Sequence, residues 1–135
     1  MQTREFNFGV TSACVRSALV VTLPEIIACG TLEAARNLVL DAFRQQSLQG
    51  VIFELSSITV MDCTDFHQLR AIAEMVHLLG ARALLVGMQP GVAGHLLSND
   101  VNIEGLEFGR ELDEALDRLS NGPGVPPETP VQSDA

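Results

Sequence analysis

Hydrophobic positions along this chain recur with two different periods, and the periods alternate. "SALVVTLPE" is a dense apolar run stopped by Pro24 and reads as a β-strand; the preceding "TSACVR" is its expected partner in an N-terminal pair. "TLEAARNLVLDAFRQQ" then switches to helical spacing. Leu32, Ala35, Leu38, Val39, Ala42 and Phe43 share one face, Thr31 is the expected N-cap, and Gly50 closes the unit. "VIFEL" is apolar enough for a strand covered on both faces. A second helix is expected from about Asp62 to Leu79, ended by Gly80, with Phe66, Leu69, Ile72, Ala73, Val76 and Leu79 as its core stripe. "ARALLVGM" is a further buried strand, and "PGVAGHLLSND" a short helix with Pro90 at its first position. "GLEF" is a short edge strand, and "RELDEALDRL" a last amphipathic helix through Leu112, Ala115, Leu116 and Leu119.

Strands alternating with helices of this length predict β-α-β units. The fold class is α/β, a mixed sheet of about four to five strands packed against about four helices. A length of 135 residues argues for one domain, over residues 1–120, with a core that needs no disulfide or metal. From 121 to 135, "NGPGVPPETPVQSDA" carries four prolines and almost no bulky side chains, so a disordered tail is expected there.

Composition narrows the function classes. Hydrophobic content of 47% and charged content of 19% belong to an ordinary globular protein. A net charge of −9, with the eight basic residues scattered singly, repels phosphate backbones and anionic lipid, which argues against nucleic-acid and membrane partners. The chain has no Trp or Tyr, so a base-stacking platform is missing too. Cys14, Cys29 and Cys63 are odd in number and widely spaced, with neither a CxxC pair nor a Cys/His quartet. The first residues, "MQTREFNFGV", do not form a signal peptide, and no apolar run reaches the ~20 residues of a membrane helix. The expectation is a reduced, cytoplasmic protein without a metal or cofactor.

Candidate chemistry concentrates in "VMDCTDF", residues 60–66, where an acid and a thiol stand at the start of the second helix. Asp62 suits an N-cap, and Asp65 three positions on gives a weak capping box. Cys63 falls off the core stripe and lines up with His67, Arg70 and Glu74 on a polar face. Two readings of that face stay open. An exposed thiol at a helix N-terminus is drawn toward the thiolate, and with His67 one turn away it makes a conceivable nucleophile or redox sensor. Against this, any i and i+4 pair meets on a helix, no orienting acid is evident, and no glycine-rich loop stands nearby. Two ligands are too few for a metal site. His77 and His95 read as surface residues. Thr64, Ala71, Met75 and Leu78 form a further flank, either buried beneath a neighbouring element or offered to a partner around an adaptable methionine.

From about Ser17 to Leu119 the chain resembles a STAS domain, the fold of anti-sigma-factor antagonists. The family pattern is an apolar strand, an Asp-Ser or Asp-Thr at the mouth of a helix, then "LGA" and a second strand; here these are "VIFEL", "MDC" and "LLGARALLVG". The segment "VGMQPGVAGHL" is similar to the branch that builds stressosomes, large cytosolic signalling scaffolds. The resemblance implies a non-enzymatic interaction module in a stress-signalling, partner-switching system. Its implied partners are other STAS-domain proteins, including a sensor-type stressosome partner, in a homo- or hetero-oligomer. A regulatory serine/threonine kinase of the histidine-kinase-like ATPase fold is implied as well. In that family the kinase modifies the residue after the aspartate. Here that seat holds Cys63, so the switch loop of Asp62, Cys63 and Thr64 departs from the pattern. Three consequences are open: a scaffold locked unmodified, phosphorylation moved to Thr64, or a redox switch at Cys63. His95 stands where some members carry a second phosphorylatable residue. His67, Ala71, Met75 and Leu78 are the expected partner surface.

Overall fold

The computed structural model describes residues 8–121, so all but the first residue of the expected tail lie outside the described region. A five-stranded sheet runs in the order β1 (Thr11–Val15), β2 (Ala18–Thr22), β3 (Gly50–Glu54), β4 (Arg82–Val86) and β5 (Glu107–Gly109). The first pair is antiparallel and the other three are parallel, as a hairpin followed by helical crossovers requires. The crossovers are α1 (Thr31–Gln45), α2 (Cys63–Leu78) and α3 (Pro90–Ser98), and α4 (Leu112–Ser120) follows β5. The mixed α/β architecture and the position of each element agree with the periodicity.

Strand side chains alternate between faces, so each apolar strand feeds two cores. Leu19, Val21, Val51, Phe53, Ala83 and Leu85 join the larger cluster, which α1, α2 and α3 cover. Ala18, Ile52, Leu84 and Val86 point the other way, onto Ala115, Leu116 and Leu119 of α4. α4 comes so close to β3 that an added Cβ at Gly50 would lie 2.7 Å from Leu119 Cδ2 and 2.9 Å from the Arg82 carbonyl oxygen.

Local chemistry accounts for the departures from expectation. α1 is capped by Gly30 at φ 98°, not by Thr31. Thr31 is the first helical residue, fully buried, and its Oγ1 turns back to accept the Ala28 N–H at 2.9 Å. Gly50 does not close α1 but opens β3, where the approach of Leu119 excludes a side chain. Leu79 is the C-cap of α2 and is 44% exposed, because Gly80 at φ 88° reverses the chain before another turn can cover it. Phe66, Leu69, Ile72, Ala73 and Val76 make up the buried stripe as predicted.

Candidate functional site

Parallel strands place the loops that follow β2, β3 and β4 along one edge of the sheet. The β3–α2 loop is half core and half surface: Leu55, Ile58 and Met61 are buried, while Val60 is 75% exposed. Two side chains pin it at Ser56. Glu54 Oε1 accepts the Ser56 N–H at 2.8 Å and its hydroxyl at 2.5 Å, and Gln89 Nε2 donates to the Ser56 carbonyl at 2.7 Å. Gly87 leaves the room this needs, since a Cβ there would meet Ser56 Cβ at 3.1 Å. The two loops that flank the start of α2 are therefore tied to each other.

Asp62 is the N-cap of α2: its backbone is extended and its Oδ1 accepts the Asp65 N–H at 2.8 Å. Burial, together with the Asp62 carboxylate beside it, holds the Asp65 carboxyl above its ordinary value of 3.8, against the opposing hydrogen bond from the Asp62 backbone. Cys63 is the first residue of the helix. It is half-buried and packs against the larger core, which corrects the expectation of a thiol lying wholly on the polar face. A helical side chain covers the turn N-terminal to its own Cα, and here that turn is the loop whose Ile58 and Met61 belong to the core. Thr64, one position on, is exposed, as is His67. Among the described residues no hydrogen bond joins Cys63 to His67, and no three His, Cys, Asp or Glu side chains gather as metal ligands would.

The rest of the expected partner surface divides. Ala71 and Met75 line a groove of about 460 Å³ between α1 and α2, together with Leu32 and Arg36. Met75 is half-buried there and packs on the core, whereas Leu78 is 87% exposed. His95 lies exposed on α3 and offers its carbonyl to Asn99 Nδ2 at 2.9 Å. Ile26, 74% exposed in the β2–α1 loop, adds a second apolar side chain to the edge that carries Val60.

Sequence reasoning put Arg70 on the polar face without a role. Its side chain is only 17% exposed and acts as a clamp. Nη1 donates to the Asn102 carbonyl at 2.7 Å, Nη2 to the Glu104 carbonyl at 2.5 Å, and Nε pairs with Glu74 at 3.2 Å. The acceptors lie more than thirty positions away in the chain, so no local pattern could have revealed them.

An open α/β sheet of this order, with a capped helix mouth and tied loops at its carboxyl edge, is the architecture of a STAS domain. The chain belongs to that family: the STAS domain model matches residues 10–114. Among solved structures it is similar to RsbS of Moorella thermoacetica carrying a serine-to-glutamate substitution, with 24% identity and a TM-score of 0.71, over 83% of this chain and 95% of that one. A chain from a structure described as the molecular architecture of the stressosome, a signal integration and transduction hub, matches with 23% identity and a TM-score of 0.71, over 82% and 96%. The anti-sigma factor antagonist SpoIIAA in its unphosphorylated form matches with 18% identity and a TM-score of 0.64, over 82% and 97%. At these identities the likeness is one of fold. No curated protein matches the sequence. No helix among the described residues is long and apolar enough to cross a membrane.

Proposed function

We propose that this chain is a non-enzymatic, cytoplasmic protein-interaction module of a partner-switching stress-signalling system, acting either as an anti-sigma-factor-antagonist-like protein or as a stressosome scaffold component. The observation that carries the proposal is the mouth of α2: an aspartate N-cap, a thiol in the following seat, and exposed Val60 and Ile26 along the same edge. An apolar rim around a helix N-terminus suits docking of another protein. A phosphate placed there would add about −1.5 to −2 charges beside Asp62 and repel an acidic or apolar partner without refolding the domain.

Asp62, Cys63 and Thr64 form the switch loop in this reading. His67, Ala71, Met75 and Leu78 form the contact surface, and His95 occupies the second phosphosite position. The partners are other STAS-domain proteins, in a homo- or hetero-oligomer, and a serine/threonine kinase of the histidine-kinase-like ATPase fold. Since a thiol is no substrate for such a kinase, the domain is held in its unmodified, binding-competent state. A redox or Cys-dependent catalytic role for Cys63 with His67 is the competing reading. The half-burial of Cys63 and its lack of a hydrogen bond to His67 weigh against it.

Incubation of the chain and its Cys63→Ser variant with the cognate kinase, followed by phosphopeptide mapping and light scattering with a sensor-type STAS partner, tests the proposal. The expected result is no phosphate on the native chain, phosphate at position 63 of the variant, and release of the partner only then. Phosphate on Thr64 of the native chain would overturn the locked state. A folded Cys63→Ser variant that no longer binds the partner would favour the thiol-dependent reading.

A further inference from the structure

A cleft of about 560 Å³ opens between α3 and β5, and nothing in the proposed partner switch uses it. Its floor includes Phe66 and Leu85, both buried in the larger core. Its walls carry three large apolar side chains that face solvent: Leu97 (57% exposed), Ile103 (41%) and Phe108 (36%). The wall that bears Ile103 is fixed, because the Arg70 guanidinium holds the carbonyls of Asn102 and Glu104 on either side of it. The volume falls within the range of small-molecule sites, about 300 to 1,000 Å³.

A cation stands on this apolar cleft. All eight basic residues of the chain are arginines. Among the described residues Arg16, Arg36, Arg44, Arg70 and Arg82 pair with carboxylates, and Arg118 Nη2 donates to the Phe108 carbonyl. Arg110 lines the cleft, and among the described residues its guanidinium meets no partner; its backbone N–H is engaged, with Glu114 Oε1 at 3.3 Å. An unmatched guanidinium beside exposed hydrocarbon, in a chain of net charge −9, is the complement of a ligand with an apolar body and one anionic end. The neighbouring carboxylates of Glu111 and Glu114 oppose a polyanion, and no glycine-rich loop is present to hold phosphates. A singly charged, planar head group that takes two parallel N–H donors fits best.

We infer that the cleft between α3 and β5 binds a small amphipathic monocarboxylate of the straight-chain fatty-acid class, its chain against Phe66, Leu97, Ile103 and Phe108 and its carboxylate on Arg110. The inference is independent of the partner-switching reading, because its test requires no partner or kinase.

The chain lacks Trp and Tyr, so amide resonances are the suitable readout. The ¹⁵N-labelled full chain is titrated with decanoate and, separately, with 1-decanol. Decanoate is expected to give saturable shifts at Gly87, Ile103 and Phe108, and to bind more tightly than decanol. Arg110→Gln should weaken decanoate by about tenfold or more, the loss of a charge-assisted pair, and leave decanol unchanged. Ala93→Phe, which fills the cleft, should abolish both. If that variant fails to fold, Leu97→Asp serves instead, since Leu97 is exposed and its charge repels the ligand. No saturable shift below the aggregation limit of decanoate would overturn the inference. So would shifts centred on the α1–α2 groove, or an Arg110→Gln variant with an unchanged preference for the acid over the alcohol.

Discussion

Arg70 anchors a segment far from it in sequence, and replacing it isolates the energy of that anchor. Arg70→Met keeps most of the apolar stem packed on α2 and removes only the guanidinium. Each hydrogen bond to a charged donor contributes about 1.5–3 kcal/mol when buried. Asn102 and Glu104 lie at the surface, so their carbonyls return to water when the clamp is lost, and each bond then counts for less than that range, about 1 kcal/mol. The ion pair with Glu74, whose carboxylate side chain is 59% exposed, adds little. Two bonds discounted in this way give about 2 kcal/mol, or roughly 8 °C in midpoint for a domain of this size. Arg70→Lys should recover less than half, because an ammonium is a point donor and cannot span two carbonyls as a fork does. Urea unfolding followed by circular dichroism gives the total, and amide exchange at Glu104, whose N–H donates to Asn102 Oδ1 at 3.0 Å, gives the local part. A loss below about 0.5 kcal/mol with unchanged exchange at Glu104, or full rescue by lysine, would refute the clamp.

Two further outcomes are expected. Gly50→Ala should cost about 1–3 kcal/mol in urea unfolding, because the new Cβ meets Leu119 and the Arg82 carbonyl at under 3 Å; a neutral effect would mean that α4 can slide away from β3. For Asp65 the folded carboxyl titrates above its ordinary value of 3.8, so the folded state holds the proton more tightly and the stabilising contribution, complete below 3.8, is lost as pH rises through the folded value. The charged form is thus a net cost at neutral pH. Asp65→Asn, which keeps an acceptor for the Asp62 N–H, should raise the unfolding midpoint at pH 7 and converge with the parent near pH 3; a lower midpoint at pH 7 would contradict this.

The elements themselves were legible because the central strands β2, β3 and β4 are apolar on both faces and each helix carries its stripe at the right period. The capped start of α2 was legible too, since Asp62 and Asp65 act within one turn. What escaped depends on contacts the chain makes with distant parts of itself. Thr31 has the composition of an N-cap, yet its hydroxyl serves the Ala28 N–H, and the cap falls to a glycine in the left-handed region. Cys63 lies off the core stripe on a helical wheel. It is nonetheless half-covered, because a wheel omits the loop onto which the first turn leans. The clamp of Arg70 and the cleft beyond it draw on α2, α3, β5 and the segment around Ile103, which no single window of sequence contains.

Four neighbouring strands point the same way, and one boundary of the sheet therefore collects the capped turn, the Gln89 tie and the mouth of the cleft. Among the described residues the opposite boundary holds the β1–β2 turn and the returns from helix to strand, such as the exposed Ser47 between α1 and β3. A fluorophore or affinity handle grafted at Ser47 would ride on the quiet end of the molecule. Such a probe would leave the proposed switch loop and the mouth of the cleft unencumbered.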